Sequence, residues 1–114
     1  MSASFEGVLA RLQRHRGVVG AMLVGADDGM VIAGDAGPGH DPETAGALAA
    51  SLFRRTRIAA ADAGLGEADF VKLEAERGHL CATARGDVVV VALASIQANL
   101  GSLRLEMLSA KETL

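Results

Sequence analysis

The most β-prone segment of the chain is Val88-Val-Val-Val-Ala-Leu-Ala94, which contains no polar side chain. A second apolar run, Val18-Val-Gly-Ala-Met-Leu-Val24, has the same character and is flanked by glycine. Runs of this kind are typical of strands that are buried on both faces of a sheet, because neither face offers a polar side chain to water. Both segments are therefore predicted to be central strands with helices on either side.

Turn signals place three further strands beside these two. Glycine accepts the positive φ that a tight hairpin turn demands, and three glycine-containing turns follow or precede apolar segments. These turns are Asp27-Asp28-Gly29, Arg77-Gly78 and Arg85-Gly86-Asp87. The strands that they delimit are predicted at Met30–Ala33, Phe70–Glu76 and His79–Ala84, with a loop over Gly34–Gly39.

Three helices complete the pattern. The first carries an apolar stripe and ends at Gly17. The second begins at Asp41-Pro42-Glu43, where an N-cap, a first-turn proline and an acid agree, and runs to about Ala63. The third is predicted to be capped by Ser95. The stripes of the first and third helices consist of Phe5, Val8, Leu9 and Leu12, and of Leu100, Leu103, Met107 and Ala110.

The element order α-β-β-α-β-β-β-α predicts one α/β (α+β) domain over residues 1–114. Hairpin links make the sheet mostly antiparallel, and the two fully apolar strands occupy its middle. The prediction is a three-layer α/β/α architecture with helices on both faces of a five-stranded sheet of order 2-1-5-4-3. Met30–Ala33 and Phe70–Glu76 are then the edge strands.

Composition and charge narrow the range of partners and compartments. The 114 residues include 14 acids and 11 bases, with 3% aromatics and no Trp or Tyr, which argues against a nucleic-acid partner. The single cysteine, Cys81, lies in an apolar stretch, as expected of a buried thiol in a reducing compartment. The longest uncharged stretch, Val88–Ala98, falls short of the roughly 20 residues of a membrane span. Residues 1–6 contain no secretory signal pattern. We expect a cytoplasmic protein without membrane insertion.

Motifs for catalysis, cofactors or metals are not recognised. The chain has no G-x-x-x-x-G-K-[ST] motif, and Gly64-Leu-Gly66 follows a helix instead of preceding one. His15, His40 and His79 lack metal-ligand spacing. The carboxylate pairs Asp27/Asp28 and Glu74/Glu76 have no apolar pocket to separate their pKa values. We therefore predict no catalytic residue, no cofactor and no metal, and a protein that is not an enzyme.

The second helix carries apolar residues over an unusually wide arc, which suggests burial on two sides. One arc is predicted to face the sheet, and an adjacent arc of small residues would let a second helix approach closely. The sheet-facing prediction comprises Ala45, Leu48, Ala49, Leu52, Thr56, Ala59 and Ala63. The second arc comprises Gly46, Ala50, Phe53, Ala60 and Ala61, interrupted by Arg57. An alanine-rich helix of merely high propensity is the alternative interpretation.

The strand Phe70–Glu76 is the other feature that suggests a second chain. As a sheet edge it offers unpaired backbone groups, which proteins protect or use. If it pairs antiparallel with its own copy about Leu73, Lys72 faces Glu74 of the other chain twice, each pair contributing roughly 0.2–1 kcal/mol. The predicted homodimer interface comprises Gly46, Ala50, Phe53, Arg57, Ala61, Phe70, Val71, Lys72, Leu73 and Glu74. A solvated polar strand is the alternative.

At this point the sequence resembles the roadblock (dynein light-chain) domain family. The resemblance lies in Gly17–Val24 with Asp28–Ala33, Ala47–Leu52, Leu73-Glu74 with Gly78, and Ala98–Arg104, in this order. It covers nearly the whole chain and is greatest with the free-standing bacterial and archaeal branch, which includes the gliding-motility regulator. The resemblance implies a roadblock/profilin-like fold and a homodimer in which the long helices pack together and the third strands join two sheets. Family members typically bind Ras-like small GTPases, and no catalytic residue is carried over.

The leading hypothesis is a non-enzymatic homodimer that regulates or scaffolds a Ras-like small GTPase. Its second helix would hold the switch region of the GTPase in one conformation. The candidate contact residues are Arg54, Arg55 and Ile58, with Arg57 beside them. Two alternatives are a PAS-like or profilin-like small-molecule sensor, which needs a pocket between helix and sheet, and a purely structural assembly module.

Overall fold

The computed structural model describes the backbone of residues 2–114 and the side chains of residues 5–114. The sheet has the order β2-β1-β5-β4-β3, and every neighbouring pair of strands is antiparallel. The predicted architecture and strand order are confirmed; Met1, part of the stretch that the secretory-signal prediction considers, lies outside the described residues. The elements are α1 (Ser2–Arg14), β1 (Val18–Gly25), β2 (Val31–Asp35), α2 (Pro42–Asp62), β3 (Val71–Ala75), β4 (Gly78–Arg85), β5 (Val88–Ala94) and α3 (Leu100–Lys111).

Two apolar clusters fill the spaces on the two sides of the sheet. On one side, α1 and α3 pack their buried stripes, including Leu12 and Met107, against the sheet. On the other side, α2 alone covers the sheet through Ala49, Ala50 and Phe53. No helix within the described residues is both long and apolar enough to cross a membrane.

The two uninterrupted apolar runs occupy the centre of the sheet, as predicted. From Ala21 to Val24 and from Val89 to Ala92, every side chain is buried, because alternate residues enter the two opposite clusters. Leu23 and Val90 point toward α1 and α3, whereas Met22 and Val91 point toward α2. Absence of a polar face in these strands thus follows directly from the three-layer arrangement.

Strand β2 begins one residue later than predicted and extends two residues further. The Met30 N–H donates a hydrogen bond to Asp28 Oδ1 at 3.0 Å, so Met30 belongs to the turn. The strand then continues through Gly34, whose φ of 87° brings its Cα so close to β1 that a Cβ would overlap the Ala21 carbonyl. Only glycine meets both conditions without strain.

Helix α2 begins and ends where the sequence signals predict. Asp41 Oδ2 accepts hydrogen bonds from the Thr44 N–H at 3.1 Å and from Thr44 Oγ1 at 2.6 Å, and these bonds lower the pKa of the Asp41 carboxyl. Pro42 occupies the first turn, where its missing N–H costs nothing. The helix ends before Gly64, which has a φ of 77°.

The N-cap of α3 is Asn99, and the prediction that Ser95 caps this helix is wrong. Asn99 Oδ1 accepts the Ser102 N–H at 2.9 Å, and the helix starts at Leu100. The Ser95 N–H instead donates to the Gly17 carbonyl at 2.8 Å and prolongs the contact between the ends of β5 and β1. Ser95 is therefore held in an extended position, four residues before the cap.

We expect Asn99→Ala to lower the free energy of unfolding by about 1 kcal/mol, because the Ser102 N–H loses its acceptor. Ser95→Ala serves as the matched control and should change it by less than about 0.5 kcal/mol. Urea unfolding followed by far-ultraviolet circular dichroism measures both changes. Equal losses for the two variants, or a larger loss for Ser95→Ala, would contradict this assignment of the cap.

Candidate protein interface

The arc of α2 that faces the sheet is not the predicted one. Gly46, Ala49, Ala50 and Phe53 are the buried residues of the helix, whereas Leu48 is 62% exposed. Three residues assigned to the partner interface, Gly46, Ala50 and Phe53, are thus already covered by the chain's own sheet. Close approach explains the choice of side, because a Cβ at Gly46 would meet the Gly29 carbonyl oxygen and Val24.

The residues predicted to face the sheet form instead an apolar stripe that is largely exposed. We call this stripe the outer arc of α2. Leu48, Ala59 and Ala63 are exposed, and Leu52 and Thr56 are half-buried. The Thr56 hydroxyl donates to the Leu52 carbonyl at 2.8 Å, so it makes no demand on a partner. The outer arc comprises Ala45, Leu48, Leu52, Thr56, Ala59 and Ala63.

Sequence reasoning assigned the two arcs the wrong way round because both are apolar. One signal could have separated them: Phe53 is the only aromatic residue of α2, and an aromatic ring buries far more area than any alanine. Arg57 provides a second signal. Its guanidinium carbon lies 5.8 Å from the centre of the Phe53 ring, and the cation therefore stacks at the rim of the sheet-facing side.

Strand β3 forms one border of the sheet, as predicted. It pairs with β4 alone among the described residues, so its outer backbone groups face away from the sheet. Leu73 is 45% exposed on the α2 side of the strand. On the opposite side, Lys72 Nζ lies 3.4 Å from Glu74 Oε2. Phe70 precedes the strand and packs against the α1–α3 cluster, with the Arg104 guanidinium carbon 5.7 Å from its ring centre.

The candidate GTPase contacts on α2 differ in their freedom. Arg54 Nη1 donates to the carbonyls of Ala26 and Asp27 at 2.8 and 3.1 Å, so this side chain fixes the β1–β2 turn to the helix. Arg55 is exposed, and Ile58 is 62% exposed. Of the three residues, Arg55 and Ile58 therefore present their side chains to a partner.

A groove lies on the α2 side of the sheet, at the end that α2 leaves uncovered. We call it the sheet groove; it is open to solvent and has a volume of about 570 Å³. Its lining includes apolar side chains from four strands or their ends, and the loop before α2 forms one wall. These side chains are Val19, Pro38, Leu73, Ala75, Leu80 and Leu93, with His40 and Arg77 at the rim.

The reactive side chains are dispersed. Cys81 is fully buried as predicted, and burial raises the pKa of its thiol to about 11, so the thiol is protonated at neutral pH. His15 Nε2 lies 2.9 Å from Ser102 Oγ, which connects the end of α1 to the first turn of α3. In the part of the chain that the structure describes, no three His, Cys, Asp or Glu residues converge on one point.

Comparisons with known proteins give one consistent result. Residues 4–94 match the family model described as the Roadblock/LC7 domain. An uncharacterized protein of Methanocaldococcus jannaschii is 34% identical over 107 residues, which cover 94% of this chain and 93% of the relative. The solved structure of the gliding protein MglB from Thermus thermophilus is 24% identical and superposes with a TM-score of 0.80, covering 98% of this chain and 88% of MglB. A structure described as MglB with a tetrameric arrangement is 23% identical, with a TM-score of 0.78 and coverages of 98% and 93%.

Proposed function

Because the chain belongs to the Roadblock/LC7 domain family, we propose that it is a non-enzymatic homodimer that regulates or scaffolds a Ras-like small GTPase. One observation carries the homodimer: the exposed outer arc of α2 lies on the same side of the sheet as Leu73 of the unpaired strand β3. A single surface therefore combines an apolar helix face with a free sheet edge.

The two parts of this surface support different contacts with a second copy. Alanine and threonine between Leu48 and Ala63 let the α2 helices of two protomers approach closely. Strand β3 offers its free backbone groups to the β3 of the partner, and Lys72 and Glu74 give this strand a self-complementary charge pattern. The tetrameric arrangement described for an MglB structure supports self-assembly on this fold.

The GTPase surface is proposed on the side of α2 that faces away from the sheet. Arg55 and Ile58 are exposed there, and Arg54 fixes the β1–β2 turn behind them. Binding through this face would stabilise one conformation of the GTPase switch region, which shifts its population without any reacting group. Phe53 and Ala50 pack directly on the sheet, in the layer where the alternative small-molecule sensor would need its ligand.

Calorimetry with Ras-like GTPases encoded in the same genome tests this proposal, in both the GDP and the GTP-analogue states. We expect binding that depends on the nucleotide, and at least tenfold weaker binding by the double variant Arg55→Glu/Ile58→Glu. The double variant Arg16→Glu/Leu105→Glu makes matching changes at exposed positions on the α1–α3 side and should bind as the unmodified protein does. Failure of both nucleotide states to bind would remove the GTPase proposal.

A further inference from the structure

Helix α2 is longer than its own sheet is wide. Its 21 residues span about 31 Å, whereas five strands span about 19 Å between the outer backbones. Phe53 is the last buried residue of the helix, and the following two turns contain none. Leu65, directly after the helix, is 79% exposed. We call residues 57–65 the α2 overhang.

The sheet groove presents the opposite situation on the same side of the molecule. Leu80 and Leu93 pack against the α2 cluster, and Leu73 shares the side of Val71 because β3 pairs with β4 without a bulge. The groove is thus the part of the α2 side that has an apolar floor and no helix above it. One end of this face has helix without sheet, and the other has sheet without helix.

The chain leaves the overhang through Gly66–Phe70 and enters β3 directly, so the overhang lies at the β3 border. A two-fold axis at this border, normal to the sheet, places both α2 helices on one side and directs each overhang toward the other protomer. We propose that the α2 overhang of each protomer occupies the sheet groove of the other. This inference rests on the proposed homodimer.

Size and charge fit this reciprocal contact. Ala60 and Ala61 give the overhang a narrow cross-section on the continuation of the sheet-facing arc, which suits entry over Leu73 and Leu80. Asp62 of the overhang would meet Arg77 at the groove rim, where opposite charges favour the orientation. Each protomer then covers the apolar floor that the other leaves open.

Intermolecular cross-linking tests the contact directly. Two single variants, Leu65→Cys in the overhang and Ala75→Cys in the groove, are prepared with Cys81→Ala to remove the native thiol. They are mixed in equal amounts, treated with a short bismaleimide, and the linked peptides are identified by mass spectrometry. We expect a 65–75 link between two chains at a yield at least tenfold above that of a Leu105→Cys and Ala75→Cys mixture, because Leu105 lies on α3.

A second readout covers the case in which the linker geometry fails. The chain contains no Trp, so Leu65→Trp introduces a single fluorophore. We expect its emission to be blue-shifted in the dimer and to move to the red as dilution dissociates the dimer, whereas Leu105→Trp stays solvent-exposed throughout. A dimer, shown by light scattering, with neither the 65–75 link nor the emission shift would overturn the groove contact and leave the proposed function standing. A protein that is monomeric at high concentration would overturn both.

Discussion

Phe53→Ala is expected to lower the free energy of unfolding by about 3–5 kcal/mol. The Phe53 side chain is 2% exposed and lies between α2 and the sheet, so its removal leaves a cavity among Ala49, Ala50 and Ala82. The loss includes both the transfer of the ring and the cavity that the surrounding backbone cannot close. Urea denaturation at a fixed protein concentration measures it, because self-association adds to apparent stability.

Ile58→Ala is the matched control for this loss. It removes a large apolar side chain from the same helix, but this side chain is 62% exposed, and the change should stay within about 0.5 kcal/mol. The alternative result is equally clear. If Phe53→Ala left unfolding unchanged and only weakened self-association, Phe53 would belong to the partner interface, as the sequence prediction had it.

Leu48→Glu is expected to convert the proposed dimer into a monomer. A two-fold interface carries the substitution twice, and each carboxylate would be buried in the outer arc without a partner cation. Even about 1.4 kcal/mol per site weakens dimerisation about 100-fold. Sedimentation equilibrium or light scattering over a range of concentrations measures the dissociation constant.

The control for this variant has the same chemistry at an equally exposed position. Leu105 on α3 is 66% exposed, close to the 62% of Leu48, so Leu105→Glu changes solubility and net charge by the same amount. We expect it to leave the dimer intact. Unaltered dimerisation of Leu48→Glu would show that the outer arc is not an interface and would remove the main support for the homodimer.

Local signals were sufficient for the elements that the sequence predicted well. β1 and β5 were recognisable because a strand buried on both faces has no polar residues, and α2 because Asp41 and Pro42 act within the first turn itself. The N-cap of α3 was missed because Ser95 and Asn99 are both capable caps. A hydrogen bond from the Ser95 N–H to Gly17, 78 positions away in the chain, holds Ser95 in extended backbone.

The candidate site shows the same division more sharply. The exposed border strand with Leu73, Lys72 and Glu74 was predictable, since the alternation of apolar and charged residues is a property of the strand alone. The orientation of α2 was not. Two apolar arcs of similar composition satisfy the helical period equally well, and only the packing of Gly46 beneath the β1–β2 turn selects between them.

From the sequence alone, the periods of apolar residues and the capping and turn residues determined the eight elements, the order of the strands and the family resemblance, because each of these signals acts over a few neighbouring residues. The tertiary structure alone decided which arc of α2 is buried, that Arg54 is engaged by the β1–β2 turn, and that one end of the sheet is left uncovered. These outcomes depend on the distance between segments far apart in the chain, and close packing admits one of two locally equivalent arrangements.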